Sequence, residues 1–168
     1  MRENKKIQFS FRISQVTDIE FHIFNMFSYG IQDFENLDDK LFFNYGWQIE
    51  ANKEAKEVVL IMSIFFMYKL DSDKNVPLVN YYYSTHFLIN NFEEVIKTIT
   101  PESFDIPDEI LPTLLSVSIS TGRGMLIEKL SKSFYRDIIL PIATPEFIQQ
   151  LVKNGRVNKT QPIKETKK

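Results

Sequence analysis

VVLIMSIFFMY, residues 58–68, is apolar in both phases of a two-residue repeat. Val58, Leu60, Met62, Ile64, Phe66 and Tyr68 share one phase, and Val59, Ile61, Phe65 and Met67 share the other. The run is too short for a membrane helix, which takes roughly 20 apolar residues. Its β-branched and aromatic residues suit a strand. A strand apolar on both sides needs cover on both sides. One domain of 168 residues seldom covers both faces of a sheet, so the run predicts an oligomer as well as a strand.

The flanking sequence supplies the other strands. Upstream, Ile7, Phe9, Phe11 and Ile13 alternate with Gln8, Ser10, Arg12 and Ser14, and the alternation resumes at Ile19, Phe21 and Ile23. Residues 15–18 read as a bend or bulge within that strand. Leu41, Phe43, Tyr45, Trp47 and Ile49 make a second strand, joined to the third by the charged turn ANKEAKE, residues 51–57. After DSDKN, residues 71–75, a fourth strand carries Val79, Tyr81, Tyr83, Thr85, Phe87 and Ile89 in one phase. Short turns imply antiparallel neighbours. Between the first two strands, NMFSYGIQDFENLDDK, residues 25–40, does not alternate, yet it is rich in aromatics. A connection of that kind either folds back on the core or binds something apolar.

Beyond residue 90 the period changes. FEEVIKTI, from Phe92, reads as one short helix or a turn of connection. Residues 108–131 fit helical spacing in part, through Ile110, Leu111, Leu114, Leu115, Ile119, Leu126, Ile127 and Leu130. YRDIILPIA, from Tyr135, reads as extended. Thr144 then caps a last helix with Pro145 at its first position, reaching about Lys153 and ending near Gly155. The expectation is an α+β fold: a four-stranded antiparallel sheet, then a long helix and a short C-terminal helix. Residues 1–6 read as an N-terminal extension, 7–153 as a single domain, and 154–168 as a basic, disordered tail.

Bulk properties exclude several classes. Apolar content of 43% is too high for a disordered chain, and a net charge of −2 gives no nucleic-acid-like balance. With no cysteine there is no disulfide and no thiolate metal site. No signal peptide is legible, so the reading is a cytoplasmic protein without direct membrane insertion. The two histidines, His22 and His86, fall on polar strand phases without metal-ligand spacing. No nucleophile–base set sits in a catalytic motif, so the chain reads as a non-enzyme without cofactor or metal.

STGRGMLIEKL, residues 120–130, looks at first like a phosphate loop. The third glycine of a dinucleotide fingerprint is missing, and no strand precedes the stretch. Ser116, Ser118, Ser120, Gly122 and Gly124 are poor helix formers, each glycine costing about 1 kcal/mol relative to alanine. They suit a helix onto which another helix packs closely. Ser118, Gly122, Arg123 and Gly124 therefore read as a helix–helix packing face, with a functional cleft as the alternative, and Arg123 is long enough to meet a carboxylate across the contact.

The order of these segments resembles the SecB family of export chaperones. IQFSFRISQVTDIEFHI is similar to that family's first strand, KEVVLIMSIFF to its third and VNYYYSTHFLI to its fourth. GRGMLIEKLSKSFYRDIILPIATPEFI resembles its closing run, from an arginine-bearing helix to a terminal helix with an aromatic. The resemblance implies a homotetramer, a dimer of dimers with long helices between two sheets, which would make Ser118, Gly122, Arg123 and Gly124 the oligomer face of the long helix. It implies an ATP-independent holdase for unfolded or extended polypeptides, serving protein transport. A client groove along the crossover loop and last helix would hold Met26, Phe27, Tyr29, Ile31, Phe34 and Phe147. Asp18 and Glu20 would stand on an acidic strand face that docks the motor SecA. The alternative is a dedicated chaperone or adaptor for one partner, such as an antitoxin.

Overall fold

The structure, a computed structural model, describes residues 9–32, 40–71, 74–100 and 103–157. Four strands form the main sheet: β1 (Phe11–Ile23), β2 (Leu41–Asn52), β3 (Glu57–Asp71) and β4 (Lys74–Ile89). Their spatial order is β1-β4-β3-β2, all antiparallel. A short helix, α1 (Phe92–Val95), and a small hairpin, β5 (Lys97–Thr100) with β6 (Ser103–Asp105), lead to the long helix α2 (Leu111–Leu130). The chain ends its described part in α3 (Pro145–Val157). The architecture is the expected one. The β5–β6 hairpin is extra, since Pro101 and Pro107 read only as punctuation in the sequence.

The ladder register explains the apolar phases. On one face, Phe21, Tyr81, Ile64 and Tyr45 lie in one cross-strand row, and Asp18, Tyr83, Met62 and Trp47 in the next. Val16, Thr85, Leu60 and Ile49 form a third row. Helix α2 covers this inner face, and Leu60, Met62, Ile64, Phe66, Tyr81 and Tyr83 are fully buried beneath it. Each such aliphatic side chain contributes about 1.5–3 kcal/mol on burial. On the outer face Val59, Ile61, Phe65 and Met67 are only half-buried, and Phe65 meets Tyr82 edge-on at 5.6 Å between ring centroids. The chain itself therefore covers one face of β3 fully and the other only by lateral packing. In β1 the bend resolves into two bulges, at Ser14 and Ile19.

The small residues of α2 have an origin the sequence reading did not assign. Gly122 faces the sheet, and a Cβ there would come within 2.1 Å of the Tyr83 ring. Tyr83 Oη donates to the Ser118 carbonyl at 2.9 Å, and the Ser118 and Thr85 hydroxyls share a hydrogen bond of 2.8 Å. Ser118 and Gly122 thus let α2 settle onto a tyrosine of its own sheet rather than onto a neighbouring helix. Burial drives the Tyr83 phenol well above its ordinary pKa, so it stays neutral as a donor.

Helix α3 begins as expected. The Phe147 amide donates to Thr144 Oγ1 at 3.3 Å, with Pro145 at the first position. Its end differs. Gly155 was expected to stop the helix, yet α3 runs on to Val157. A Cβ on Gly155 would lie 2.1 Å from the Trp47 indole, so the glycine permits close approach to β2. Trp47 Nε1 donates to the Leu151 carbonyl at 3.0 Å, which satisfies the half-buried indole.

These contacts separate two neighbouring glycines. Gly122→Ala forces a methyl into Tyr83 and should cost about 1–3 kcal/mol. Gly124→Ala meets open space and should gain up to about 1 kcal/mol from helix propensity. Urea unfolding of the two variants checks the opposite signs. Equal midpoints would contradict the described contact.

Candidate functional site

Two segments meet at the end of the sheet where β1 finishes. After β1, Asn25 caps a 3-10 turn, Met26–Tyr29, its side-chain oxygen accepting from the Phe27 amide at 3.0 Å. Gly30 closes the turn with a left-handed φ of 77°. Met26 and Ile31 point inward and are buried. That leaves Phe27 outside, 50% exposed.

The second segment follows α2. Ser133 Oγ donates to the Leu130 carbonyl at 2.9 Å and accepts from the Tyr135 amide at 3.0 Å. Tyr135 Oη donates to the Phe24 carbonyl at 2.6 Å, tying the two segments together. Ile138 and Leu140 turn inward, so Ile139 and Ile142 turn out, at 60% and 74% exposure. Phe134 is 74% exposed, and its ring meets Phe27 edge-on at 5.7 Å. Phe27 and Phe134 are thus two large apolar side chains in contact with each other and open to solvent.

A separate aromatic pair lies over β2. Phe147 of α3 meets Tyr45 edge-on at 5.2 Å, both half-buried. Burial pushes the Tyr45 phenol up to about 12, and the positive charge of Arg123 opposes that rise.

The predicted groove is therefore redistributed. Phe27 lies on the exposed surface, Tyr29 and Phe147 are half-buried, and Met26 and Ile31 belong to the core. Their apolarity read the same in sequence, because a 3-10 turn interleaves inward and outward residues without strand or α periodicity. Phe34 falls outside the described residues. Phe134, Ile139 and Ile142 were missed. Phe134 and Tyr135 stand together between Ser131-Lys132-Ser133 and Arg136-Asp137, and this pair of aromatics amid polar neighbours was the available signal.

Asp18 and Glu20 do not share a face. The bulge at Ile19 places Asp18 in the row of Tyr83 and Glu20 opposite Tyr82. Asp18 accepts from Tyr81 Oη at 2.6 Å and pairs with Lys129 Nζ at 2.9 Å. Glu20 contacts His22 Nε2 on the outer side at 2.5 Å. The oligomer-face residues also divide. Ser118 and Gly122 meet the chain's own sheet, while Gly124 has nothing within 4 Å of a Cβ position. Arg123 lies on the flank between them, its Nε buried and without a hydrogen-bond partner. Gly124, Ser120 and the 46%-exposed Ile127 form the outward stripe.

No family model matches the chain, and no curated protein matches it. Among solved structures, it is similar to the SecB-like chaperone Rv1957 of Mycobacterium tuberculosis, in complex with a ChAD peptide from the antitoxin HigA1. That match has a TM-score of 0.47 and 11% identity, over 79% of this chain and 90% of the other. A protein of unknown function from Streptococcus agalactiae matches with a TM-score of 0.42 and 13% identity, over 80% of this chain and 99% of the other. No helix among the described residues is long and apolar enough to cross a membrane.

The Tyr81 hydrogen bond, then Lys129, holds the Asp18 carboxyl below its ordinary pKa. A depressed carboxylate contributes stability above its unfolded pKa, near 4, and loses it as pH falls through the folded value. Asp18→Asn should therefore cost under about 1 kcal/mol at pH 7, since the pair is half-exposed and screened. The gap from wild type should close as pH drops below about 4. Urea midpoints measured across that range check the sign, and a gap that widens toward acid would contradict it.

Proposed function

We propose that this chain is an ATP-independent holdase that binds unfolded or extended polypeptides through the surface built on residues 24–31 and 131–143. The observation that carries the reading is the Phe27–Phe134 pair, two exposed aromatics held edge to face on a hydrogen-bonded frame. Ile139 and Ile142 extend the apolar character of the second segment. Such side chains cost solubility unless they meet a partner, and apolar contacts without fixed polar partners favour promiscuity. Among the described residues β2 is an edge strand, regular over its whole pairing with β3, and its outer main-chain groups suit an extended client. The same element order supports the likeness to SecB-type chaperones read from the sequence.

The assembly we propose is a homotetramer. The outward stripe of Ser120, Gly124 and Ile127 on α2 and the exposed Ile13 and Ile19 on β1 support contact with further copies. Docking of SecA, and with it a role in export, draws no support from Asp18 and Glu20, whose carboxylates lie on opposite faces. A dedicated chaperone for one partner would use the same surface and differ in client range.

One experiment tests the binding reading: light scattering on a sizing column, with and without a reduced, unfolded polypeptide. Wild type should elute near four times 19.8 kDa and gain the client's mass. The double variant Phe27→Ser/Phe134→Ser should keep its mass and stay folded with a small loss of stability, because Phe134 is 74% exposed and Phe27 half-exposed. Its client affinity should fall by about tenfold or more, ~1.4 kcal/mol. A folded double variant that retains full affinity would reject this surface.

A further inference from the structure

A cleft of about 690 Å³ opens between β2, α1, the β5–β6 hairpin and the start of α2. Its floor is apolar. Val95, Ile106 and Leu111 are buried there, and Ile49 of β2 is half-buried. Its rim is acidic. Glu94, Asp105, Asp108 and Glu109 are all exposed, and Lys97 is the one cation among the residues lining the cleft. Carboxylates gathered around one opening repel one another, and cations brought among them relieve that repulsion.

The chain leaving α3 is directed at this cleft. Phe147 meets Tyr45, and further along both elements Trp47 reaches the Leu151 carbonyl and lies against Gly155. Helix α3 therefore advances along β2 toward Ile49, which follows Trp47 by two residues, roughly 7 Å, on the same face. The helix reaches Val157, and the sequence continues as NKTQPIKETKK, residues 158–168. That stretch carries Lys159, Lys164, Lys167 and Lys168 against Glu165, with Pro162 and Ile163 among them. Lys164 follows Val157 by seven residues, a reach of up to roughly 25 Å. A segment tethered so near its site has an effective concentration on the order of millimolar, so modest attraction is enough to seat it.

We propose that residues 158–168 dock in this cleft of their own chain, with Lys159 and Lys164 on the carboxylate rim and Ile163 toward the apolar floor. Two observations select this occupant: its charge is opposite to the rim, and α3 delivers it to the mouth. The docked segment covers the acidic rim and withholds it from lysine- or arginine-rich stretches of other chains. This contact does not depend on the polypeptide-binding reading, whose aromatic pair follows the far end of β1. As an attraction between exposed charges, it weakens with salt.

Carbodiimide coupling of lysine amines to carboxylates in the full chain, read by peptide mass spectrometry, tests the contact. Lys159 and Lys164 should couple to Glu94, Asp105, Asp108 and Glu109 in preference to Glu50 and Glu54, which are also exposed and near the end of β2. In a mixture of ¹⁴N- and ¹⁵N-labelled protein the coupled peptides should come from one chain. The variant Asp105→Asn/Glu109→Gln removes attraction and leaves the tether unchanged. Its coupling of the tail lysines to Glu94 and Asp108 should fall about fivefold, as two screened charge pairs are lost. Its urea midpoint should stay near that of wild type, because both side chains are exposed. Coupling to Glu50 and Glu54 at equal yield, or coupling that the double substitution leaves unchanged, would show tethering alone and overturn the proposal. Mixed-isotope products would assign the segment to a second copy and overturn docking within one chain. Absence of any coupling to the rim would overturn it outright.

Discussion

The rest of the molecule depends on the closeness of α2 to the inner face of the sheet. Gly122 lets the helix backbone ride over the Tyr83 ring, and the Tyr83 hydroxyl is satisfied by the Ser118 carbonyl. Ser118 in turn pairs with Thr85. A buried tyrosine hydroxyl needs such a partner, and the small residues Ser118 and Gly122 let Tyr83 reach the helix carbonyl. Once α2 is seated, the inner rows of β3 and β4 are dry, and its C-terminal end fixes Lys129 over Phe21 and Tyr81 and against Asp18. The segment leaving α2 then starts at a set point, which places Phe134 opposite Phe27.

Strand identities were legible from the period of two in β1, β2 and β4 and the β-branched and aromatic run of β3, and pairing sense from the short turns. The Tyr81, Tyr83, Thr85 and Phe87 phase is buried as its alternation indicates. Phase alone cannot say what covers a face, so Gly122 read as a helix-contact residue when its neighbour is an aromatic of the same chain. Gly155 was misread for a related reason. A glycine near a helix end usually marks a cap, and only the position of Trp47 turns it into a packing glycine.

The candidate site was less legible than the fold. Met26, Phe27 and Ile31 are alike in sequence, but the capped 3-10 turn buries the first and last and exposes the middle one. Asp18 and Glu20 looked like a same-phase pair, two residues apart, until the bulge at Ile19 put them on opposite sides. Phe134, Ile139 and Ile142 lie in a segment with no regular period, whose facing is set by Tyr135, Ile138 and Leu140 turning inward. Local chemistry decided these orientations, and hydrophobicity alone carried no trace of them.

The central claim is that unfolded chains bind where these two irregular segments meet. Amide hydrogen exchange, with and without a reduced, unfolded polypeptide at saturating concentration, tests it most directly. The account predicts added protection in residues 24–31 and 131–143 and along β2, with β3 and β4 unchanged. Protection confined to β3 and β4, or none at all, would contradict it.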